Sequence, residues 1–385
     1  MARFLVTVVA LIALPFSVAQ AQFGGPSHEI RVVTVVEGLQ NPWSMAWLPN
    51  GDMLVTERGG SIQTVRDGRL LQEPMANVPA VLASAQGGLF DIVLHPDYES
   101  NGWVYISFAK PNAEGNESAT TVIRARIDDN ALVDIEEIFE ANAWSNSGGH
   151  FGGRIVFDDE GYMFIASGER QAPSTGDLTQ HPAQLTDNHF GVIVRLYDDG
   201  SVPDDNPFVG TSGFAPEIWS YGHRNPQGLI FDAATGLLWE TEHAPQGGDE
   251  LNLIQPGLNY GWPVIGYGAN YGSGTEIHAS RYAEGMAQPA AFWVPSIAPS
   301  GLLMYHGDRF PNWDGDLFAG GLSADHSRLS RVSVSEGIVT GRQPLLMQQY
   351  RIRDARQGPD GYIYVAVDSR GTRETTPIIR LEPAD

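Results

Sequence analysis

The segment Gly153-Arg-Ile-Val-Phe-Asp-Asp-Glu160-Gly161-Tyr-Met-Phe-Ile-Ala-Ser-Gly168 decides the fold. It reads as a short apolar run, a polar turn ending in glycine, and a second run rich in β-branched and aromatic residues. That spells a two-stranded hairpin, because glycine takes the positive φ that a tight turn demands. The signature recurs five more times. Trp43 to Glu57 carries it around Asn50-Gly51, Phe90 to Phe108 around Asn101-Gly102, and Gln227 to Glu240 around Thr235-Gly236. Gly301 to Gly320 carries it around Asp314-Gly315, and Ala355 to Val367 around Asp360-Gly361. Successive turn glycines are 51, 59, 75, 79 and 46 residues apart, and long runs with helical periodicity are absent. Six four-stranded units averaging about 61 residues match a propeller blade plus its functional loops. The expectation is an all-β, six-bladed β-propeller, with two stacked β-sandwiches as the alternative. In a propeller, the early strand Ile30 to Val36 closes the ring by joining the last blade near Ile378 to Leu381. The longer intervals put most of the loop sequence between Trp144 and Trp293, and chemistry tends to live on such loops.

The N-terminus has one charge at Arg3, an apolar run from Phe4 to Val18, and the small-x-small triplet Ala19-Gln20-Ala21. This reads as a signal peptide over residues 1–21, with an uncleaved anchor as the alternative. Residues 22–385 are then one propeller domain, working in the periplasm or secreted. No later segment is apolar for long enough to span a membrane. The absence of cysteine agrees with export. Apolar residues at 42 % of the chain supply an ample core. The formal charge of −23, or −24 without Arg3, repels phosphate backbones and argues against nucleic-acid partners and anionic membranes.

Several short segments have the makings of a site. Asn146-Ser-Gly-Gly-His150-Phe-Gly-Gly-Arg154 sets a histidine in a glycine-rich loop, where an accessible neutral imidazole is a natural general base; a histidine satisfying loop hydrogen bonds is the plainer reading. Arg224-Asn225 offers a fork of donors for carboxylate or quinone oxygens, while His223 and His95 read as structural. Thr241 to Pro263 groups Glu242, Asp249 and Glu250 with Gly/Pro-bent backbone, and hard oxygen donors of this kind suit Ca²⁺. Arg351 and Arg353 share one face of a strand and imply a local anion, either buried acids or a polycarboxylate. Gln86, leading into the second repeat, offers an amide to a central ligand.

In this order the segments Gln86-Gly-Gly-Leu, His150-Phe-Gly-Gly-Arg154, Gly222-His-Arg-Asn-Pro-Gln-Gly228, Asp249-Glu-Leu-Asn-Leu-Ile with Asn259-Tyr-Gly-Trp-Pro263, and Tyr350-Arg-Ile-Arg-Asp354 resemble the soluble quinoprotein glucose dehydrogenases, in particular their bacterial aldose sugar dehydrogenase branch. The resemblance covers essentially the whole chain after the leader. It implies a six-bladed propeller that holds pyrroloquinoline quinone (PQQ) and Ca²⁺ and oxidises aldoses to lactones in the periplasm. It further implies His150 as the base at the anomeric hydroxyl, with hydride passing to the quinone C5. Arg224 and Asn225 would lie beside the quinone oxygens, and Arg351 and Arg353 at the cofactor carboxylates. The Ala244 and Pro245 carbonyls would hold the catalytic calcium, and Glu250 and Tyr260 a second, structural one. Gln86 and Trp293 would line the pocket. The partner implied is a small-molecule sugar, with an electron acceptor that the resemblance does not identify.

Two departures accompany the match. A cofactor-contacting lysine of the glucose enzyme has no counterpart in Gly320-Gly-Leu322-Ser323, and the acid preceding its catalytic histidine is Gly149 here. The second leaves the imidazole in need of another acceptor to set its tautomer. A Ca²⁺-dependent lactonase and a non-catalytic propeller binding sugars or partner proteins are the competing readings.

Overall fold

The computed structural model describes residues 30–369 and 374–384, so the signal-peptide reading of residues 1–21 lies outside the described residues. Six antiparallel four-stranded sheets form the blades of a propeller. The innermost strands are Pro42–Trp47, Leu89–Leu94, Gly152–Phe157, Pro226–Asp232, Pro299–Tyr305 and Ile352–Gln357, numbered below as blades one to six. The ring closes as expected. Ile30–Leu39 pairs antiparallel with Thr376–Pro383 as the outermost strand of blade six, in the register Val32↔Leu381 and Thr34↔Ile379. No helix among the described residues is long and apolar enough to cross a membrane.

The repeat works locally as read from the sequence. All six turn glycines, from Gly51 to Gly361, have φ between +70° and +90°. At Gly161 a Cβ would meet nothing within 4 Å, so backbone conformation alone requires glycine there. These turns lie at one end of the blades. The loops that enter each innermost strand and leave each second strand lie at the opposite end.

Every innermost strand also carries a register shift against its neighbour, near Trp43, Asp91, Arg154, Gln227, Gly301 and Arg353. A bulge turns a side chain out of its ordinary alternation, and here the bulges feed a buried polar belt that ties blades together. Ser44 Oγ donates to Asp91 at 2.6 Å, and Arg154 lies 3.3 Å from Asp91 and 3.2 Å from Asp354. Arg356 bridges the same two acids at 2.8 and 2.9 Å, and Arg154 Nε donates to the Gln227 carbonyl. Two acids against two guanidiniums leave the belt neutral, which a buried charge cluster requires. Apolar clusters fill the space between blades, for example Tyr305, Phe310, Trp313 and Phe318 against Ile352, Ile363 and Val365. Burial of this surface is the main favourable term of the fold.

Candidate active site

The site is built on the face opposite the turn glycines. His150 enters from the loop before the innermost strand of blade three, with φ +52° and only 7 % of its surface accessible. The sequence reading had it more open. Its backbone N–H donates to Gln86 Oε1 at 3.0 Å, so Gln86 from blade two orients the histidine loop. The imidazole Nδ1 lies 2.5 Å from Glu169 Oε1, and the other Glu169 oxygen accepts the Ala172 N–H at 2.6 Å. Glu169 is the acceptor whose absence at position 149 left the tautomer open, and sequence reading missed it.

Both partners are pushed toward their neutral forms. Burial, with the charges of Arg224 and Arg170, lowers the His150 imidazole well below its usual range. Burial raises the Glu169 carboxyl to about 7, opposed by Arg224. Once the Glu169 carboxyl has lost its proton, the neutral imidazole shares its one ring proton with it at Nδ1. With Nδ1–H donating to Glu169, Nε2 keeps a free lone pair, and no described residue bonds it. Arg170 secures the loop from behind: its guanidinium donates to the carbonyls of Gly149 at 3.1 Å, Ser118 at 2.7 Å and Ser147 at 2.7 Å.

Arg224 and Asn225 stand across from this pair. The Arg224 carbonyl accepts the Glu169 N–H at 2.8 Å, and its Nη1 donates to the His243 carbonyl at 3.0 Å. Asn225 Oδ1 accepts the Gly152 N–H. The remaining donors, Arg224 Nε and Asn225 Nδ2, are buried without partners, as are Ser167 Oγ and His243 Nε2. Buried polar atoms are normally satisfied, so these orphans fit a ligand rich in oxygen acceptors. Arg351 and Arg353 converge on one atom, Asp368 Oδ2, at 3.4 and 2.9 Å, and Arg353 also donates to Gln227 at 3.0 Å. The strand begins only at Ile352 and bulges before Asp354. The shared carboxylate, as much as strand alternation, brings these guanidiniums together. Among the described residues the two guanidiniums share the Asp368 carboxylate, a donor set that suits a polycarboxylate, so the residues present fit PQQ.

The calcium expectations land on two adjoining features. Ala244 is fixed by its N–H donating to Asp249 Oδ1 at 2.9 Å. The other Asp249 oxygen accepts from Ser296 Oγ, Ile297 N and Ala298 N. The Pro245 carbonyl already accepts the Ala269 N–H at 3.1 Å, so a cation there would share that oxygen with the backbone. Beside it, a small cavity is lined by Glu242, Ala244, Glu250, Tyr260 and Trp262. Asn252 Nδ2 lies within 3.0–3.3 Å of Glu240, Glu242 and Glu250. His223, Glu240 and Glu242 bring three ligand atoms within 4.8 Å of one another. Burial and the Glu242 charge push Glu240 and Glu250 well above the usual carboxylate range, and Glu240 Oε1 and Asn252 Oδ1 have no partner. Such a cluster calls for protons or a cation, and its hard oxygens fit Ca²⁺. The Tyr260 hydroxyl is spent on the Leu253 carbonyl and the Gln255 N–H, so its main-chain carbonyl is the oxygen left to offer. Glu242 belongs to the acids that the sequence reading grouped for Ca²⁺, and Glu240 is a further acid that it did not assign.

Trp293 is the one expected site residue the structure does not bring to the well. It lies on Ala291–Trp293, the outermost strand of blade four, and packs with Trp239, Leu251, Ile297 and Leu302 in an apolar cluster. A side chain at the rim of the disc serves the core rather than the axis.

A ring of blades whose loops gather an acid-backed imidazole, unpartnered donors and a guanidinium group belongs with the propeller oxidoreductases of sugar CH–OH groups. A family model described as glucose/sorbosone dehydrogenase matches residues 39–380. The aldose sugar dehydrogenase YliI of Escherichia coli is 41 % identical over 345 residues, covering 88 % of this chain and 90 % of that protein. The solved structure of the soluble aldose sugar dehydrogenase of Escherichia coli in the apo-form aligns with a TM-score of 0.84 at 39 % identity, over 92 % of this chain and 100 % of that one. The PQQ-bound form of an aldose sugar dehydrogenase from Streptomyces coelicolor aligns with a TM-score of 0.72 at 28 % identity, over 93 % and 100 %. The chain belongs to the glucose/sorbosone dehydrogenase family.

Proposed function

We propose that this protein is a PQQ- and Ca²⁺-dependent dehydrogenase that oxidises aldoses at the anomeric carbon to lactones. The observation that carries the reading is the His150–Glu169 pair facing the unpartnered donors of Arg224 and Asn225. His150 Nε2 takes the proton of the anomeric hydroxyl, while Glu169 holds Nδ1–H and stabilises the imidazolium that forms. Gln86 and Arg170 keep the histidine loop in place. Arg224 Nε and Asn225 Nδ2 donate where negative charge develops on the accepting oxygens, and their fixed positions avoid reorganisation. Arg351 and Arg353 hold carboxylates. Ala244, Pro245, Glu242, Glu250 and Tyr260 are the residues that would hold calcium. When bound, PQQ supplies the electrophilic carbon that accepts the hydride, and Ca²⁺ polarises it. The signal-like residues 1–21 support export to the periplasm as part of the reading.

A lactonase would need free carboxylates around a metal in the central channel. The acids there, Asp91 and Asp354, are neutralised by Arg154 and Arg356, which disfavours it. The test is reconstitution: apoprotein given PQQ and Ca²⁺ reduces an artificial acceptor when aldoses are added, and His150→Ala binds PQQ yet does not turn over. Gluconolactone hydrolysis without quinone, or full activity in His150→Ala, refutes the proposal.

A further inference from the structure

Five blades share a detail of register, with Ala109 and Leu322 at the shared place in blades two and five and a charged or imidazole side chain there in the other three. In blade four the last pair of the first hairpin is Pro226↔Glu242, and one step on the His243 N–H donates to the Asn225 carbonyl. In blade six the last pair is Ile352↔Val367, and the Asp368 N–H donates to the Arg351 carbonyl. In blade one it is Pro42↔Glu57, and the Arg58 N–H donates to the Asn41 carbonyl at 3.1 Å. His243 and Asp368 both serve the well. Arg58 holds the equivalent place one blade round from Asp368.

The side chain agrees with that placement. Its stem packs on the Gln86 segment, where a Cβ on Gly88 would come within 2.8 Å of Arg58 Cγ. The guanidinium is half-buried and makes no hydrogen bond or ion pair with the described residues, although the chain as a whole carries −23. Its pKa is lowered first by burial and then by the charge of Arg353, against the pull of Asp368, so it stands in the electrostatic neighbourhood of the Arg351–Arg353 group. Arg58 thus joins Arg351 and Arg353 in the electrostatic neighbourhood of the Asp368 carboxylate. An arginine that has no hydrogen bond or ion pair among the described residues and stands beside other arginines is poised for an anion that arrives from outside.

We propose that Arg58 is a third anion-binding guanidinium of the well, supplying from blade one the cation that the fifth-blade segment Gly320–Ser323 lacks. The ligand class is a polycarboxylate with at least two anionic groups. Identifying that ligand as PQQ rests on the function proposed above.

The test is direct binding. Apoprotein with saturating Ca²⁺ is titrated with PQQ and followed by quenching of tryptophan fluorescence, for wild type, Arg58→Gln and Arg58→Lys at two salt concentrations. Arg58→Gln is expected to raise Kd at least tenfold and to flatten the salt dependence, while Arg58→Lys retains most of the affinity. The thermal midpoint of metal- and cofactor-free Arg58→Gln should equal or exceed that of wild type, because an unpaired half-buried charge has been removed. Wild-type affinity in Arg58→Gln overturns the inference alone. Weakened binding together with a clearly lowered apoprotein midpoint in both variants also overturns it, since Arg58 would then be structural. Failure of wild type itself to bind PQQ overturns the proposed function, and this inference with it.

Discussion

Replacing Glu169 by glutamine keeps the shape of the side chain and should nearly abolish turnover. One Glu169 oxygen accepts the Ala172 N–H at 2.6 Å and the other meets His150 Nδ1 at 2.5 Å. Glutamine has a single acceptor oxygen. If that oxygen serves Ala172, whose N–H cannot change role, the amide N–H₂ faces Nδ1 and forces it to accept, so the imidazole proton moves to Nε2 and the base is blocked. The reverse orientation frees Nε2 but sets an amide N–H₂ against the Ala172 N–H. Leaving that buried donor unpaired costs about 1–3 kcal/mol, which holds the productive tautomer to a fraction on the order of one in five to one in 150. Loss of the carboxylate that stabilises the imidazolium adds to this. A total drop in kcat on the order of 10³-fold is expected, comparable with the loss of tautomer control in a Ser-His-Asp triad. PQQ affinity and KM should change little, because Glu169 touches neither cofactor nor sugar. Steady-state assay with an artificial acceptor, alongside a PQQ titration, separates the two. A Glu169→Gln enzyme with kcat within a factor of three of wild type refutes the tautomer account.

Other expectations follow from the same geometry. With the Glu169 carboxyl raised to about 7 by burial, kcat/KM should rise with pH through that region and level off above it, and a flat profile from pH 5 to 9 would contradict a base held by this pair. Glu240 and Glu250 have folded pKa values above their unfolded ones. The folded state therefore binds more protons there, and the stability of chelated protein should fall as pH rises above the ordinary carboxylate range. Added Ca²⁺ should restore most midpoint at the alkaline end, and calorimetry in EGTA against Ca²⁺ checks this. Arg154→Met leaves Asp91 and Asp354 to Arg356 alone and should cost about 3–5 kcal/mol in urea unfolding. Gly161→Ala, at φ +86° in open space, should cost roughly 1–2 kcal/mol through backbone strain with no change in activity.

Much of the ring was legible because its determinants are local. A turn glycine must sit where φ is positive, and each of the six marks the first hairpin of a blade. The outer strands were not legible. In blade one the fourth strand is only Arg69–Leu70, and in blade four the last two strands, Asp249–Ile254 and Ala291–Trp293, are separated by a long loop. Strands this short or this separated carry no period of their own, and their pairing is imposed by the sheet already present. The rim position of Trp293 was lost for the same reason.

The site divides along a similar line. His150, Arg224 and Asn225 sit in loops entering innermost strands, where glycine or proline neighbours advertise them, while Arg351 and Arg353 were legible from strand alternation. Their partners come from the ends of the second strands, among unremarkable residues. Yet hairpin register already relates the two sets. In blade three the pair Gly152↔Ser167, continued two steps outward, sets His150 opposite Glu169. In blade six Ile352↔Val367, continued one step, sets Arg351 opposite Asp368. Reflecting a loop residue through its own turn glycine lands three residues past the acid in both blades, because an antiparallel pair has one fixed sum of positions until a bulge shifts it. The bulges near the axis are what blur that reflection in the sequence. They are also what turns Arg154 and Asp91 into the central belt, so the same departures from regular pairing that hide the site's partners hold its blades at a common centre.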